Sequence, residues 1–83
     1  MTRIICTCED FKEMNFYMKE GRKSMLLFRI PFNESVYGYF KKEVSLSRAI
    51  DHTYAKRDKA INRTMNIIKE YVRELNREEE KAS

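Results

Sequence analysis

Cys6, Cys8 and the single histidine, His52, are the side chains in this sequence best suited to nucleophilic or metal chemistry. A strand would point Cys6 and Cys8 to one face, where a disulfide between them is badly strained. Structural zinc takes a closed set of four ligands, and these three residues fall short of it. The two thiols therefore read as reduced, small apolar side chains, which points to a reducing, cytoplasmic compartment. His52 has no serine or cysteine at a spacing that suggests a triad. The carboxylates Glu9-Asp10 and Glu78 to Glu80 sit in polar stretches, where solvation gives no reason for a raised pKa. With only two glycines there is no phosphate-binding loop. The expectation is a protein that is not an enzyme and uses no metal or cofactor.

Binding chemistry is better represented. The chain has 17 lysines and arginines against 13 acids, a net charge of +4. Residues 1–44 hold eight cations and six acids, residues 45–76 seven and four, and residues 77–83 two and three. The excess is modest and sits mainly on the second stretch, which suits a nucleic-acid partner. Tyr17, Tyr37, Tyr39, Tyr54 and Tyr71 have rings that stack on bases in single-strand binders, and that pack at cores or interfaces elsewhere.

The element that must position the cations is a long helix. On a wheel of about 100° per residue, Ile50, Tyr54, Ile61, Met65, Ile68, Val72 and Leu75 form one stripe. Arg48, His52, Lys56, Lys59 and Arg63 fall on the far side, continued by Glu70 and Glu74. Ser45 is suited to cap the start. Unbroken, such a helix spans about 30 residues or roughly 45 Å, longer than a sheet of three or four strands is wide. It therefore either breaks near Arg57-Asp58, where Asp58 is a good N-cap, or packs its C-terminal half outside the domain. A homodimer through Ile61, Met65, Ile68, Val72 and Leu75 is the simplest form of the second choice.

Upstream, Arg3 to Cys8 is a short β-branched strand and Glu9 to Asn15 a helical turn or loop. Phe16 to Lys19 resumes as strand. Gly21 supplies the positive φ of a tight hairpin. Lys23 to Ile30 reads as a strand buried on much of both faces and closed by Pro31. After a turn over Phe32 to Ser35, Val36 to Lys42 reads as a further strand, with Gly38 a bulge or point of close approach. The fold class is α+β in one domain: a small antiparallel sheet over 1–44, a C-terminal helix over 45–78 and a frayed tail over 79–83. No stretch is apolar enough for a membrane span or a secretory signal.

Residues 16 to 55 resemble the apetala/ethylene-response-factor domain shared with phage integrases and homing-endonuclease proteins. Lys23 and Arg29 stand six apart, as on that family's second strand. Gly38-Tyr39-Phe40 matches the end of its third strand, and Arg48-Ala49-Ile50-Asp51 follows at the matching distance. The chain departs from the family at Ser24, where a tryptophan is usual, and in its longer helix. The resemblance implies three strands and a helix, with the sheet in the major groove of DNA and Lys19, Arg22, Lys23, Arg29 and Tyr37 against it. Phe28-Arg29-Ile30-Pro31 with Asp58 to Arg63 is also similar to a ribbon-helix-helix dimeric repressor.

The expected function is that of a small phage- or mobile-element-type DNA-binding regulator or accessory factor. Its contacts would come from Lys19, Arg22, Lys23, Arg29, Tyr37, Arg48, Lys56, Lys59 and Arg63. The alternative is a protein-binding module or inhibitor that occupies a host nucleic-acid enzyme through the apolar helix seam.

Overall fold

The computed structural model describes residues 2–51 and 57–82. Along the chain run β1 (Thr2–Thr7), β2 (Glu13–Glu20), β3 (Lys23–Pro31), α1 (Glu34–Phe40), β4 (Val44–Ser45), α2 (Leu46–Asp51) and α3 (Lys59–Ala82). The strands form one antiparallel sheet in the order β3-β2-β1-β4. The α+β architecture, an antiparallel sheet followed by a long C-terminal helix, is as the sequence leads one to expect.

Alternation along the strands decides which side chains meet the helices. Ile4 and Cys6 of β1 and Met14 and Phe16 of β2 are buried, in one core with Val36 and Phe40 of α1, Ala49 of α2 and Ile61, Met65 and Ile68 of α3. All three helices therefore lie on one face of the sheet. Phe16 is the centre of this core, stacked on Phe28 at 4.8 Å between ring centroids and edge-on to Phe40 at 5.2 Å. Each large side chain so buried contributes roughly 1.5–3 kcal/mol.

The segment expected to be a fourth strand, Val36 to Lys42, is instead mostly helix α1. Asn33 starts it: its side-chain oxygen accepts from the Val36 amide at 3.1 Å and its carbonyl from the Tyr37 amide at 2.9 Å. Val36 and Phe40, four residues apart, form the buried edge, a helical spacing that outweighs the β propensity of the tyrosines. Gly38 is neither a bulge nor a close approach, since a Cβ built there meets nothing within 4 Å. The extra strand is the two-residue β4, which pairs with β1 through Arg3–Ser45 and Ile4–Val44.

β3 likewise departs from the strand expected there. It lies at the sheet's edge and is largely exposed, not buried on both faces. Its apolar run is divided by a bulge opposite Phe16/Tyr17. Leu27 is thereby buried, while Met25 and Leu26 stay 41% and 42% exposed. Glu20 and Lys23 pair across Gly21-Arg22, and Gly21 has the positive φ, 62°, that this turn needs.

The long helix is broken where Asp58 suggested. Arg57 takes a left-handed φ of 59°. Asp58 Oδ1 then accepts from the amides of Ala60 and Ile61 at 2.9 and 3.2 Å, capping α3. Ser45 Oγ likewise accepts from the Arg48 amide at 3.3 Å and starts α2. Residues 79–82, expected to fray, continue α3, as a run of good helix formers without glycine or proline permits.

Candidate nucleic-acid interface

Helices on one side leave the opposite side of the sheet uncovered by the described residues. The strand register builds that face row by row. Ile5, Tyr17 and Leu26 stand side by side across β1, β2 and β3. None of the three packs against the core, although their sequence neighbours Ile4, Phe16 and Leu27 do. The Tyr17 ring stacks on no other ring among the described residues.

Two residues along in one direction comes a row of Arg3, Lys19 and Ser24, with Ser45 beyond Arg3. In the other direction, two along on β1 and β2 and three along on β3 across the bulge, comes Thr7, Asn15 and Arg29. Each row is thus about 7 Å from the apolar one, and neighbouring residues within a row are about 5 Å apart. The cations are held in place. Arg29 Nε donates to Asn15 Oδ1 at 2.8 Å, which leaves the terminal guanidinium nitrogens as donors toward a ligand. Arg3 Nη1 donates to Glu43 Oε2 at 2.7 Å, and Lys19 Nζ lies 3.7 Å from Glu43 Oε1. Glu43 reaches both cations from a turn in which its own φ is 54°. A face of this kind presents an apolar strip with Arg3 and Lys19, shared with Glu43, on one side and Arg29 on the other, suited to a ligand with flat apolar faces and negative charge on both sides of them.

The residues expected at DNA do not share a side. Lys19 and Arg29 are on the open face, and Arg22 and Lys23 are exposed at the β2–β3 turn beside it. Tyr37 belongs to the helical layer, half-buried against Phe32 and beneath Lys41 Nζ, 5.9 Å from its ring centroid. Lys59 and Arg63 belong to α3, which packs on the face of the sheet opposite Lys19, and Arg48 belongs to α2, directly after the edge strand β4. Lys56, His52 and Tyr54 lie outside the described residues.

The expected interface seam is corrected at Ile61, Met65 and Ile68, while Val72 and Leu75 are only partly buried. Ile61, Met65 and Ile68 are buried beneath the sheet's own strands, and Val72 and Leu75 pack against the same core. With α3 broken off at Asp58 its apolar stripe fits over the sheet, and no second chain is needed to cover it. Two residues along this edge stay exposed. They are Tyr71, which tilts against Phe28 at 5.5 Å, and Met25, which shares a shallow cleft with Val72 and Leu75.

Arg3, Ile5, Asn15, Leu26 and Glu43 were not singled out by the sequence, though for Arg3, Ile5 and Asn15 a signal existed. Arg3-Ile5-Thr7 alternates with Ile4-Cys6, and Asn15-Tyr17-Lys19 with Met14-Phe16-Met18, so the polar set of each strand was readable once β2 was begun at Glu13. Cys6 lies inside the core, where burial, then its neighbour Cys8, pushes the thiol up to about 12. It is held as a neutral thiol and no nucleophile. Among the described residues no three metal-ligating side chains gather, and no helix is long and apolar enough to cross a membrane.

Compared with known protein families, with curated proteins and with solved structures, the chain matches none.

Proposed function

We propose that this protein binds nucleic acid through the uncovered face of its sheet, in keeping with the regulatory or accessory role on DNA that the sequence suggests. The observation that carries this reading is the apolar row Ile5–Tyr17–Leu26 between Arg3–Lys19 on one side and Arg29 on the other. Arg29, oriented by the neutral Asn15 side chain, loses little freedom on meeting a phosphate, so its contact costs less than one made by a free lysine. The helix-borne cations Arg48, Lys59 and Arg63 serve as the solvated side of the molecule.

The test is a salt-titrated anisotropy measurement with labelled oligonucleotides on two double variants. Lys19→Ala/Arg29→Ala should weaken binding and flatten the log–log salt dependence by about 0.7–0.9 for each phosphate no longer neutralised. Lys59→Ala/Arg63→Ala should leave both affinity and slope nearly unchanged. If the helix-side pair loses as much as the sheet-side pair, attraction is spread over the whole molecule and the reading fails.

A protein partner is the second reading, favoured by Met25 and Tyr71, which stay 41% and 43% exposed where α3 crosses the β3 edge. Met25→Ser/Tyr71→Ser would abolish such an interaction and leave oligonucleotide binding intact.

A further inference from the structure

Resting on the reading above, we infer that the ligand of the open face is a single strand, and that the Tyr17 ring is the platform on which one of its bases stacks. The choice between single strand and duplex is made by the apolar row. Ile5, Tyr17 and Leu26 run across three strands with polar or charged rows on both sides. Leu26 alone remains 42% exposed. An oligonucleotide has only one apolar surface to cover such a row, the faces of its bases. In a duplex those faces are taken by their neighbours in the stack. Phosphates placed on Arg3, Lys19 and Arg29 by a duplex would then bring sugar and phosphate down on the apolar row, dehydrating it against charge. In a single strand the bases splay, and a ring standing free of other rings can take one.

The order of the rows fits this. A base on Tyr17 lies about 7 Å from either cationic row, within reach of the phosphates on both sides of it. Arg29, oriented by Asn15, faces one of these phosphates, and Lys19 the other. A second copy of this chain is a poorer occupant. Two such faces would bring three cations and two carboxylates, Glu13 and Glu43, against the same set with its excess of positive charge. The row of three side chains is also small beside the roughly 1,200–2,000 Å² of total buried area that specific interfaces need.

DNA and RNA single strands present the same bases and phosphates, so both are used as probes. Labelled 15-nucleotide oligo-dU, oligo-rU and a 15-base-pair duplex are titrated at one low salt concentration into the wild-type chain, Tyr17→Leu and Tyr17→Phe. Sedimentation of each protein alone is run in parallel. Tyr17→Leu keeps an apolar strand residue and Tyr17→Phe keeps the ring, so folding and stacking are separated. At least one single strand should bind more tightly than the duplex. Tyr17→Leu should lose roughly 5- to 150-fold on that strand, the range of one base–aromatic stack, and Tyr17→Phe should bind as wild type. Preference for oligo-dU or for oligo-rU assigns the sugar and supports the inference either way. Duplex binding equal to or tighter than single-strand binding, or a Tyr17→Leu variant that binds like wild type, overturns the single-strand inference. If Lys19→Ala/Arg29→Ala still weakens binding in that case, the nucleic-acid reading stands without it. No binding of any probe overturns both. So does a dimer that Tyr17→Leu returns to monomer.

Discussion

Gly38 shows what a single residue conceals when only its neighbours in sequence are known. Between Tyr37 and Tyr39 it suggests a strand needing close approach, yet it lies in α1 with open space where a Cβ would be. Its backbone is helical and its φ is not positive, so alanine loses nothing and removes conformational freedom from the unfolded chain. Gly38→Ala should stabilise the protein by about 0.5–1 kcal/mol in urea denaturation, and a loss would place the glycine in some other conformation. Gly21, at φ 62°, is the opposite case: alanine there should cost about 1 kcal/mol. Cys6 gives a prediction in pH. Its folded pKa, about 12, lies above the 9.0 of a free thiol. The neutral form is therefore favoured by folding, and the stability this contributes is complete below pH 9 and lost as pH rises toward 12. At pH 8 a thiol reagent should label the half-buried Cys8 within minutes and Cys6 only on unfolding. Equal labelling rates in the native state would show that Cys6 is not enclosed.

Elements were legible where one signal dominated. The hairpin was announced by Gly21, β1 by its β-branched residues, and α3 by an apolar stripe stepping four, three, four, three. The purpose of the same stripe is not legible, because a seam of Ile61, Met65, Ile68, Val72 and Leu75 looks identical whether its cover is another chain or this chain's sheet. Only topology distinguishes them, and topology is a long-range property that no local pattern reports. The strand expected over Val36 to Lys42 failed for a local reason. Pro31, Asn33 and Glu34 are the strand stop, the cap and the first-turn acid of a helix, and they were outweighed by aromatic β propensity. Asp58 gives the direct test at this scale. Its carboxylate holds two amides of the first turn of α3, so Asp58→Ala should cost about 1 kcal/mol. Asp58→Asn should recover most of it, as a cap does. Met65→Ala, at the centre of the helix–sheet packing, should cost about 2–5 kcal/mol. A chain in which α3 docked only on a partner would show that cost only at concentrations where the partner binds.

Among the described residues the molecule is a two-sided plate, helices on one side and open sheet on the other, with Lys19 and Arg29 on the open side and Lys59 and Arg63 on α3. This is why the candidate site was half legible in the sequence. Lys19 and Arg29 could be named as basic strand residues, but only strand pairing puts Arg3 beside Lys19 and Leu26 beside Tyr17. The same pairing brings in Glu43, forty residues from Arg3 in the chain. Its carboxylate occupies the position that a phosphate must take between Arg3 and Lys19, at 2.7 and 3.7 Å. An incoming anion has to displace it, and binding is weakened by whatever that exchange costs. Glu43→Gln removes the competing charge and leaves the turn its side-chain length. Arg3 and Lys19 are each more than a third exposed, so removing the pairs should lower stability by no more than about 1 kcal/mol. Oligonucleotide affinity at low salt should rise, with a steeper salt dependence as two unshared cations meet phosphates. Melting and binding would then move in opposite directions, which a mere structural weakening of the sheet does not produce. Weaker binding by Glu43→Gln would mean that Glu43 orients the cations for the ligand, and that the carboxylate belongs to the site as an organiser of the Arg3–Lys19 row.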